Sequence, residues 1–336
     1  MDAKLPTGEV LSAEDQELVE GLLAGKRRPL AKTITLIEST LLAHQQRAQK
    51  VVASILPHTG HAIRVGISGV PGAGKSTFIE ALGIWLIERG HKLAVLAVDP
   101  SSSVSGGSIL GDKTRMEMLC QREEAFIRPS PSAGSLGGVA AKTREAMLAC
   151  EAAGYDVILV ETVGVGQSET TVAGMVDIFI LLQLPNAGDD LQAIKKGIVE
   201  IADLVAINKI DINPEHAAVS MAQWKQALHM LRPTSPNWSP PVIGLSALNK
   251  RGMDEFWDAI ERYRQIMTQT GELQQKRQNQ SLAWMWSMIE AGLKQLFRNN
   301  ALVEAELPKL SQDVSQGVIT PSLASERLLD HVRPKS

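Results

Sequence analysis

The stretch Gly69-Val70-Pro71-Gly72-Ala73-Gly74-Lys75-Ser76 has the spacing G-x-x-x-x-G-K-S. The apolar run over residues 63–67 before it predicts a strand, and residues 77–89 after it have the apolar spacing of a helix, which Gly90 is expected to end. A glycine loop between a strand and a helix is the context in which this spacing binds a phosphate. A glycine-rich turn that binds nothing explains these features less well, so the sequence predicts a phosphate-binding loop.

The residue types of this loop suit the chemistry of a nucleotide phosphate. Glycines allow backbone N–H groups to face the β-phosphate, and the start of the helix adds positive potential. Lys75 supplies a full charge for the β- and γ-phosphate oxygens, and the Ser76 hydroxyl can ligate Mg²⁺. We therefore predict that every residue from Gly69 to Thr77 contacts the nucleotide.

The chain around this loop alternates short apolar strands with helices. Most of the strands are continuous apolar runs, which indicates burial on both faces and hence a mostly parallel sheet flanked by helices, the α/β fold of P-loop NTPases. The predicted strands are Ile63–Ser68, Leu93–Asp99, Ala125–Arg128, Val157–Thr162, Ile178–Gln183, Leu204–Asn208 and Val242–Ser246.

Helical segments extend this domain at both ends. Residues 1–57 are predicted to be an N-terminal helical extension, in which a second helix carries apolar residues from Ile34 to Ile55. Residues 58–270 form the predicted nucleotide-binding domain. A polar stretch over 271–280 precedes two or three more helices, so 271–336 is predicted to be a C-terminal helical arm.

Composition excludes several classes of protein. The formal net charge of −3 gives no reason to expect a nucleic acid or an anionic membrane as partner. No run approaches the roughly 18 apolar residues of a membrane span, and the start of the chain has no apolar signal core. Cys120 and Cys150 have no metal or redox spacing. A soluble protein of a reducing compartment, the cytoplasm, is expected.

Asn208-Lys209-Ile210-Asp211 has the spacing N-K-x-D at a predicted strand end. The Asp211 carboxylate can accept hydrogen bonds from the ring N1–H and the exocyclic amine of guanine, whereas adenine would leave it unpaired, which disfavours the wrong base. Ser246-Ala247-Leu248 follows a later strand and fits a loop whose backbone approaches the guanine oxygen. Together with the phosphate loop, these segments predict a guanine nucleotide, GTP or GDP.

Acidic residues follow other strand ends. Glu161 is followed by Gly164, in the arrangement where an acid holds Mg²⁺ and a glycine amide senses the γ-phosphate. Asp99 and Asp112 flank a Ser/Gly-rich segment, and either can orient a water or a magnesium-bound water. An ion pair between Asp112 and Arg115 at a helix start is the alternative explanation for that acid.

The acids Asp189 and Asp190 lie between a predicted strand and a helix, where helix capping alone is an adequate explanation.

Near the C-terminus, Leu282, Met285 and Ile289 begin an apolar stripe at helical spacing. From periodicity alone, this stripe packs on its own domain or on a second chain.

The chain is similar to the methylmalonyl-CoA mutase-associated GTPases of the MeaB or ArgK type, within the SIMIBI class. The resemblance covers nearly the whole chain, and its motifs are residues 69–77, 98–102, 106–116, 160–169 and 188–192. It implies a GTPase chaperone that gates cofactor loading of the adenosylcobalamin-dependent mutase and protects it. It also implies a homodimer formed through the C-terminal helices.

The resemblance assigns roles to single residues. It implies that Lys75 is catalytic, that Ser76 ligates Mg²⁺, and that Asp99, Asp112 and Glu161 line both the metal and the attacking water. It implies a third switch that couples the nucleotide state to the partner, formed by Asp189, Asp190, Gln192 and Lys195.

Three other functions remain as alternatives. One is a kinase or ATPase linked to basic amino acid transport, which Asp211 disfavours. Another is a metallochaperone-type GTPase for a different metalloenzyme, which would need a His or Cys cluster. The third is a nucleotide-dependent scaffold with negligible catalysis.

Overall fold

Seven parallel strands form one sheet in a computed structural model that describes residues 11–98, 116–129, 136–162, 168–185, 196–231 and 234–333. The strands are β1 Ile63–Gly69, β2 Leu93–Val98, β3 Ala125–Arg128, β4 Val157–Thr162, β5 Ile178–Gln183, β6 Leu204–Ile207 and β7 Val242–Gly244. Their spatial order is β3-β2-β4-β1-β5-β6-β7, and every pair is parallel. The strand that leads into the glycine loop therefore lies at the centre of the sheet.

The α/β fold and all seven predicted strands are confirmed, with small differences at their carboxyl ends. Strand β6 ends one residue early because Lys209 adopts a left-handed backbone conformation, with φ of 61°. Strand β7 ends two residues early because Ser246 pairs with Arg251 in an antiparallel bridge that turns the chain back. Both turns bring loop residues over the end of the sheet.

Helices cover both faces of the sheet. Helix α4 follows the glycine loop and begins at Lys75, two residues earlier than predicted, while Gly90 has the positive φ of 90° expected after the helix. The α-helices described up to residue 270 are α1 Ala13–Leu23, α2 Arg27–Glu38, α3 Leu42–Ile55, α4 Lys75–Ile87, α5 Glu117–Cys120, α6 Leu136–Ala152, α7 Ser168–Ala173, α8 Lys196–Glu200, α9 Pro214–His229 and α10 Met253–Gln269.

The prediction of one helix carrying the apolar residues from Ile34 to Ile55 is wrong. Helix α2 ends at Glu38 and α3 begins at Leu42, and Ser39 between them is extended with φ −63° and ψ 145°. Leu41, which the prediction places on the buried stripe, is 61% exposed at this corner. The break allows α2 and α3 to pack against each other and against α6.

Each face of the sheet has its own core. On one face, Phe78 of α4 and Phe256 of α10 pack edge to face against each other over Ile67 and Ile180. On the other face, the N-terminal helices contribute Leu30, Ile34 and Ile55 to a core that includes Phe126 and Phe179. The N-terminal extension is therefore part of the layer that covers the sheet.

The chain divides into two compact units, one reaching Gln278 and the other beginning at Asn279. The C-terminal helices are α11 Glu272–Arg298, α12 Ala301–Ser315 and α13 Pro321–Asp330. Residues 271–280, predicted to be a polar stretch before the helices, lie mostly within α11. The second unit has a small core of Val303, Leu310, Ala324 and Leu328. The boundaries at residues 57 and 270 stay predictions.

Among the residues that the structure describes, no helix combines the length and the apolar character needed to cross a membrane.

Gly66 in β1 lies beneath α7 with no room for a side chain. A Cβ atom at this position would stand 2.9 Å from Val176 and 3.0 Å from both Phe179 and Val172. Gly66→Ala is therefore expected to lower the free energy of unfolding by about 1–3 kcal/mol through overpacking. Urea denaturation of the purified variant measures this.

Gly197→Ala is the matched control, because a Cβ atom added to that helical glycine would have no other atom within 4 Å. It should leave the stability unchanged or raise it by up to about 1 kcal/mol. Equal urea concentrations at the midpoint of unfolding for the two variants would contradict the packing of α7 on β1.

Candidate functional site

The glycine loop joins the end of β1 to the start of α4, and two of its glycines are required by close neighbours. A Cβ on Gly69 would lie 2.2 Å from the carbonyl oxygen of Leu182 in β5. A Cβ on Gly74, which has φ of 84°, would lie 2.9 Å from Nδ2 of Asn208. Gly72 has open space around it, and glycine is favoured there because its φ of 82° is one that residues with a side chain rarely adopt. The loop is thus fitted against the ends of two neighbouring strands.

The Lys75 side chain is folded over this loop. Its Nζ donates to the carbonyl oxygen of Gly69 at 2.9 Å and lies 3.4 Å from that of Val70. The loop itself is closed by a hydrogen bond from Ala73 N to Val70 O at 3.1 Å. A cation held at the centre of a loop that precedes a helix start is the arrangement needed to bind a phosphate.

Two oxygen-bearing side chains meet beside the loop. The Ser76 hydroxyl, in the first turn of α4, donates to Oε1 of Glu161 in β4 at 3.1 Å. The neighbouring Thr162 hydroxyl donates to Ser68 Oγ at 2.9 Å and so fixes β4 against β1. A hydroxyl and a carboxylate next to a phosphate loop fit Mg²⁺, which takes one or two protein oxygens plus phosphate and water oxygens.

No group of three or more His, Cys, Asp or Glu side chains that would hold a metal ion exists within the described part of the chain. At nucleotide sites, phosphate and water oxygens complete the shell of Mg²⁺, so the ion needs only one or two protein ligands.

Asn208 connects the loop with two other predicted segments. Its Nδ2 donates to Ala73 O at 2.9 Å, and its Oδ1 accepts from Lys209 N at 2.8 Å and from Ala247 N at 3.0 Å. Its backbone N donates to Gln183 O at 2.8 Å. Because Asn208 is 1% exposed, these hydrogen bonds are shielded from water and fix the geometry of all three segments.

Lys209 makes a second connection to the same loop. Its Nζ donates to Gly72 O at 3.0 Å, so its aliphatic stem extends from the end of β6 across to the loop. Ser246 is buried and accepts from Asn249 N at 3.2 Å, while Leu248 is 80% exposed and Asp211 is exposed. The side chains of Asp211 and Leu248 are therefore both accessible from solvent.

The structure thus brings together residues 69–77, Glu161, Asn208, Lys209 and the loop at 246–248. Asp211 is described and exposed, two residues after Lys209, but no hydrogen bond or ion pair among the described residues joins it to this group. The remaining predicted site residues lie outside the described residues: Asp99, Asp112, Gly164, Asp189, Asp190, Gln192 and Lys195. Their predicted roles stay predictions.

Sequence reasoning missed three contributors to this arrangement: Ser68, Thr162 and the carbonyl oxygen of Gln183. Ser68 and Gln183 belong to no motif, and Thr162 lies within the motif at 160–169 but has no predicted role. A signal was present, because all three lie at the carboxyl ends of predicted parallel strands, where ligands bind in such sheets. The order of the strands was needed to know which ends are neighbours.

Comparisons with known proteins agree with this geometry. The sequence family described as methylmalonyl-CoA mutase-associated GTPase MeaB matches residues 30–301. A putative GTPase of Caulobacter vibrioides is 54% identical over 308 residues, covering 92% of this chain and 94% of that protein. The mitochondrial methylmalonic aciduria type A homolog of Mus musculus is 46% identical over 338 residues, covering 96% of this chain and 81% of that protein.

A solved structure is also similar over almost the whole chain. The crystal structure of an LAO/AO transport system kinase matches with a TM-score of 0.78 and 41% sequence identity, covering 96% of this chain and 99% of that one.

Asn208→Ala is expected to weaken GDP binding by about 10- to 100-fold. The substitution leaves the buried Ala247 N–H and Ala73 carbonyl without their partner, at about 1–3 kcal/mol for an unsatisfied group. Isothermal titration calorimetry with GDP and Mg²⁺ measures the loss.

Asn213→Ala is the control, because Asn213 caps helix α9 by accepting from His216 N at 3.1 Å. It should lower stability by about 1 kcal/mol and leave GDP affinity unchanged. An Asn208→Ala protein that binds GDP like the wild type would refute the role of Asn208.

Proposed function

This chain belongs to the MeaB family of methylmalonyl-CoA mutase-associated GTPases, and we propose that it is a chaperone for an adenosylcobalamin-dependent methylmalonyl-CoA mutase. It is a GTPase, like the relatives that carry that name. The observation that best supports a guanine nucleotide is the buried Asn208 side chain, which joins the phosphate loop to the loop at Ala247.

In the proposed nucleotide complex, residues 69–77 surround the phosphates. Lys75 exchanges its bond to the Gly69 carbonyl for the β- and γ-phosphate oxygens. Ser76 and Glu161 hold Mg²⁺, and Asp99 and Asp112 join them as the resemblance implies. The ion, when bound, neutralises charge on the phosphate oxygens. One of the three acids orients the water for in-line attack, giving GDP and phosphate.

The base is proposed to lie between the Lys209 stem and Leu248. Asp211 accepts from the N1–H and the exocyclic amine of guanine, and the backbone of Ser246 and Ala247 approaches the guanine oxygen. Support comes from the contacts that already hold Asn208, Lys209 and Ala247 around the phosphate loop. Gly164 is proposed to sense the γ-phosphate through its amide.

The partner proposal is supported by the family description and by the name of the murine relative. In it, GTP hydrolysis gates delivery of the adenosylcobalamin cofactor to the mutase and protects the mutase. Asp189, Asp190, Gln192 and Lys195 form the switch that reports the nucleotide state to it. The cytoplasm is the proposed location, which agrees with Cys120 and Cys150 as thiols that form no disulfide.

Phosphate release with GTP is expected to be slow for this protein alone, about 10⁻⁴–10⁻² s⁻¹, and faster when a purified methylmalonyl-CoA mutase is added.

Asp211→Asn is expected to make the protein hydrolyse XTP faster than GTP, both alone and with the mutase, because the amide donates to the extra xanthine oxygen. A phosphate-release assay with both nucleotides measures this.

Three results would count against the proposal. An Asp211→Asn protein that still prefers GTP refutes the base assignment. A rate that the mutase does not change refutes the partnership. Transfer of phosphate to arginine instead of water supports the kinase function in the name of the solved relative.

We also propose that the chain forms a homodimer through α11. None of the residues of this 27-residue helix is buried, and a stripe of apolar side chains along it is 40–71% exposed. The stripe consists of Leu282, Met285, Trp286, Ile289, Leu293 and Leu296. The core of the second unit uses other residues, so the stripe is available to pair with its symmetry mate about a two-fold axis.

Ile289→Glu is expected to convert the dimer to a monomer, because two like charges would meet in an apolar interface. Sedimentation velocity of the full chain at several concentrations measures the change. Ser287→Glu, on the opposite side of α11, is the control and should remain dimeric. A wild-type monomer at micromolar concentration would contradict the proposed homodimer.

A further inference from the structure

A cluster of buried carboxylates and partly buried basic side chains joins the amino ends of the central strands. Asp177 directly precedes β5 and is 1% exposed. Its Oδ2 accepts from the backbone N–H of Arg64 in β1 at 2.8 Å. Its two oxygens also accept from Arg277 of α11, at 2.7 Å from Nε and 2.6 Å from Nη2. A paired fork of this kind is among the strongest and most directional contacts that side chains make.

Arg277 holds the chain that enters β1 as well. Its Nη1 donates to Gly60 O at 2.6 Å and its Nη2 to Ala62 O at 2.7 Å. Burial by itself lowers the pKa of Arg277. The hydrogen bonds and the negative charge of Asp177 have the larger combined effect, so the pKa of Arg277 is raised. One guanidinium therefore fixes the start of β1 relative to the start of β5.

Lys276, the preceding residue, extends the cluster to the next strand. Its Nζ donates to Asp177 O at 2.6 Å and to Oδ2 of Asp203, the residue before β6, at 3.2 Å. Asp203 Oδ2 also accepts from Phe179 N at 2.9 Å. Burial raises the pKa of Asp203, and the charge of Lys276 opposes that rise. The two basic residues of α11 thus tie together the starts of β1, β5 and β6.

The opposite ends of the same strands carry the nucleotide site. Strand β1 ends at Gly69, β5 supplies the Leu182 carbonyl against which Gly69 packs, and β6 leads to Asn208. The register between β1 and β5 is continuous from Val65 opposite Ile178 to Gly69 opposite Leu182. A displacement of β1 relative to β5 at their amino ends would therefore also displace Gly69 relative to Leu182. These two residues are packed too closely to accommodate such a displacement without a change in the loop.

We propose that Lys276 and Arg277 are positioning residues for the nucleotide site, so that nucleotide binding and the order of the first turns of α11 are coupled. Arg277 acts through Asp177 and the register of β1 with β5, and it does not touch the nucleotide. The coupling is reciprocal: whatever orders residues 272–278 strengthens nucleotide binding, and bound nucleotide orders these residues. This inference goes beyond the proposed chaperone function and does not need the mutase.

The test uses the full chain, with GDP and Mg²⁺ as the probe. Calorimetry first establishes that the wild type binds GDP. Hydrogen exchange read by mass spectrometry then compares peptides covering residues 272–278 with and without GDP. We expect GDP to slow exchange in these peptides at least threefold in the wild type.

Arg277→Lys is the informative variant, because it keeps the charge and loses the fork. We expect it to bind GDP about tenfold more weakly and to show no GDP-dependent protection of residues 272–278. Arg264→Met is the matched control, because Arg264 also donates to the chain entering β1, at 3.0 Å to His61 O, but is not hydrogen-bonded to Asp177. It should retain wild-type affinity and protection.

The proposal is overturned if the wild type binds GDP and exchange over residues 272–278 does not change. This result is decisive even where an Arg277 variant fails to fold. It is also overturned if folded Arg277→Lys keeps wild-type affinity and protection. A wild type that does not bind GDP would overturn both the coupling and the nucleotide site, and calorimetry distinguishes that result from a failure of the coupling alone.

Discussion

The contact between Gly69 and the carbonyl oxygen of Leu182 sets the position of the phosphate loop. At this point the last residue of β1 packs so closely against β5 that a Cβ atom would lie 2.2 Å from the oxygen. The loop therefore leaves the sheet at one fixed place, and Lys75 and Ser76 follow from there at the start of α4. Asn208 and Lys209, one strand further, reach back to the carbonyl groups of the same loop. The glycine loop and the segment at Asn208 and Lys209, which are the proposed phosphate-binding and base-binding segments, are thus held together.

Charge plays opposite parts at the two ends of the sheet. At the amino ends, Asp177 and Asp203 are buried and hydrogen-bonded with Arg277 and Lys276, since an unpaired buried carboxylate would be strongly destabilising. At the carboxyl ends, Lys75 donates to backbone carbonyl groups of the loop, and Asp211 is exposed. Paired charges thus join the amino ends of the strands, whereas the carboxyl ends, where we propose that the nucleotide binds, carry a lysine that donates to carbonyl groups and an exposed carboxylate.

The two terminal extensions differ in what they bury. Helices α1 to α3 share one apolar core with the sheet and α6, so they are part of the first compact unit. Most of α11 lies in the second unit, and its apolar stripe takes no part in that unit's small core. An exposed stripe of this size is typical of an interaction surface. The first turns of α11 differ from the rest of the helix, because Lys276 and Arg277 are hydrogen-bonded to Asp203 and Asp177 at the amino ends of the strands.

Much of this protein follows from short-range sequence patterns. Mostly continuous apolar runs predict the seven strands, because burial on both faces favours apolar side chains at most positions of a parallel strand. The glycine loop, its lysine and serine, and the N-K-x-D segment can be found because each chemistry needs particular residue types at short, fixed spacing. The helix pair α2 and α3 is wrongly predicted as one helix, since Ser39 and Leu41 carry no strong break signal and only packing against α6 decides the corner.

Which of these segments meet depends on the three-dimensional arrangement of the strands. Strand order places β5 between β1 and β6, so that Asn208 can reach Ala73 across 135 positions of sequence. The bond between Ser76 and Glu161 and the fork between Arg277 and Asp177 join residues 85 and 100 positions apart. Such contacts leave no local signal, because they depend on where whole strands lie in the sheet and not on the neighbours of a residue along the chain.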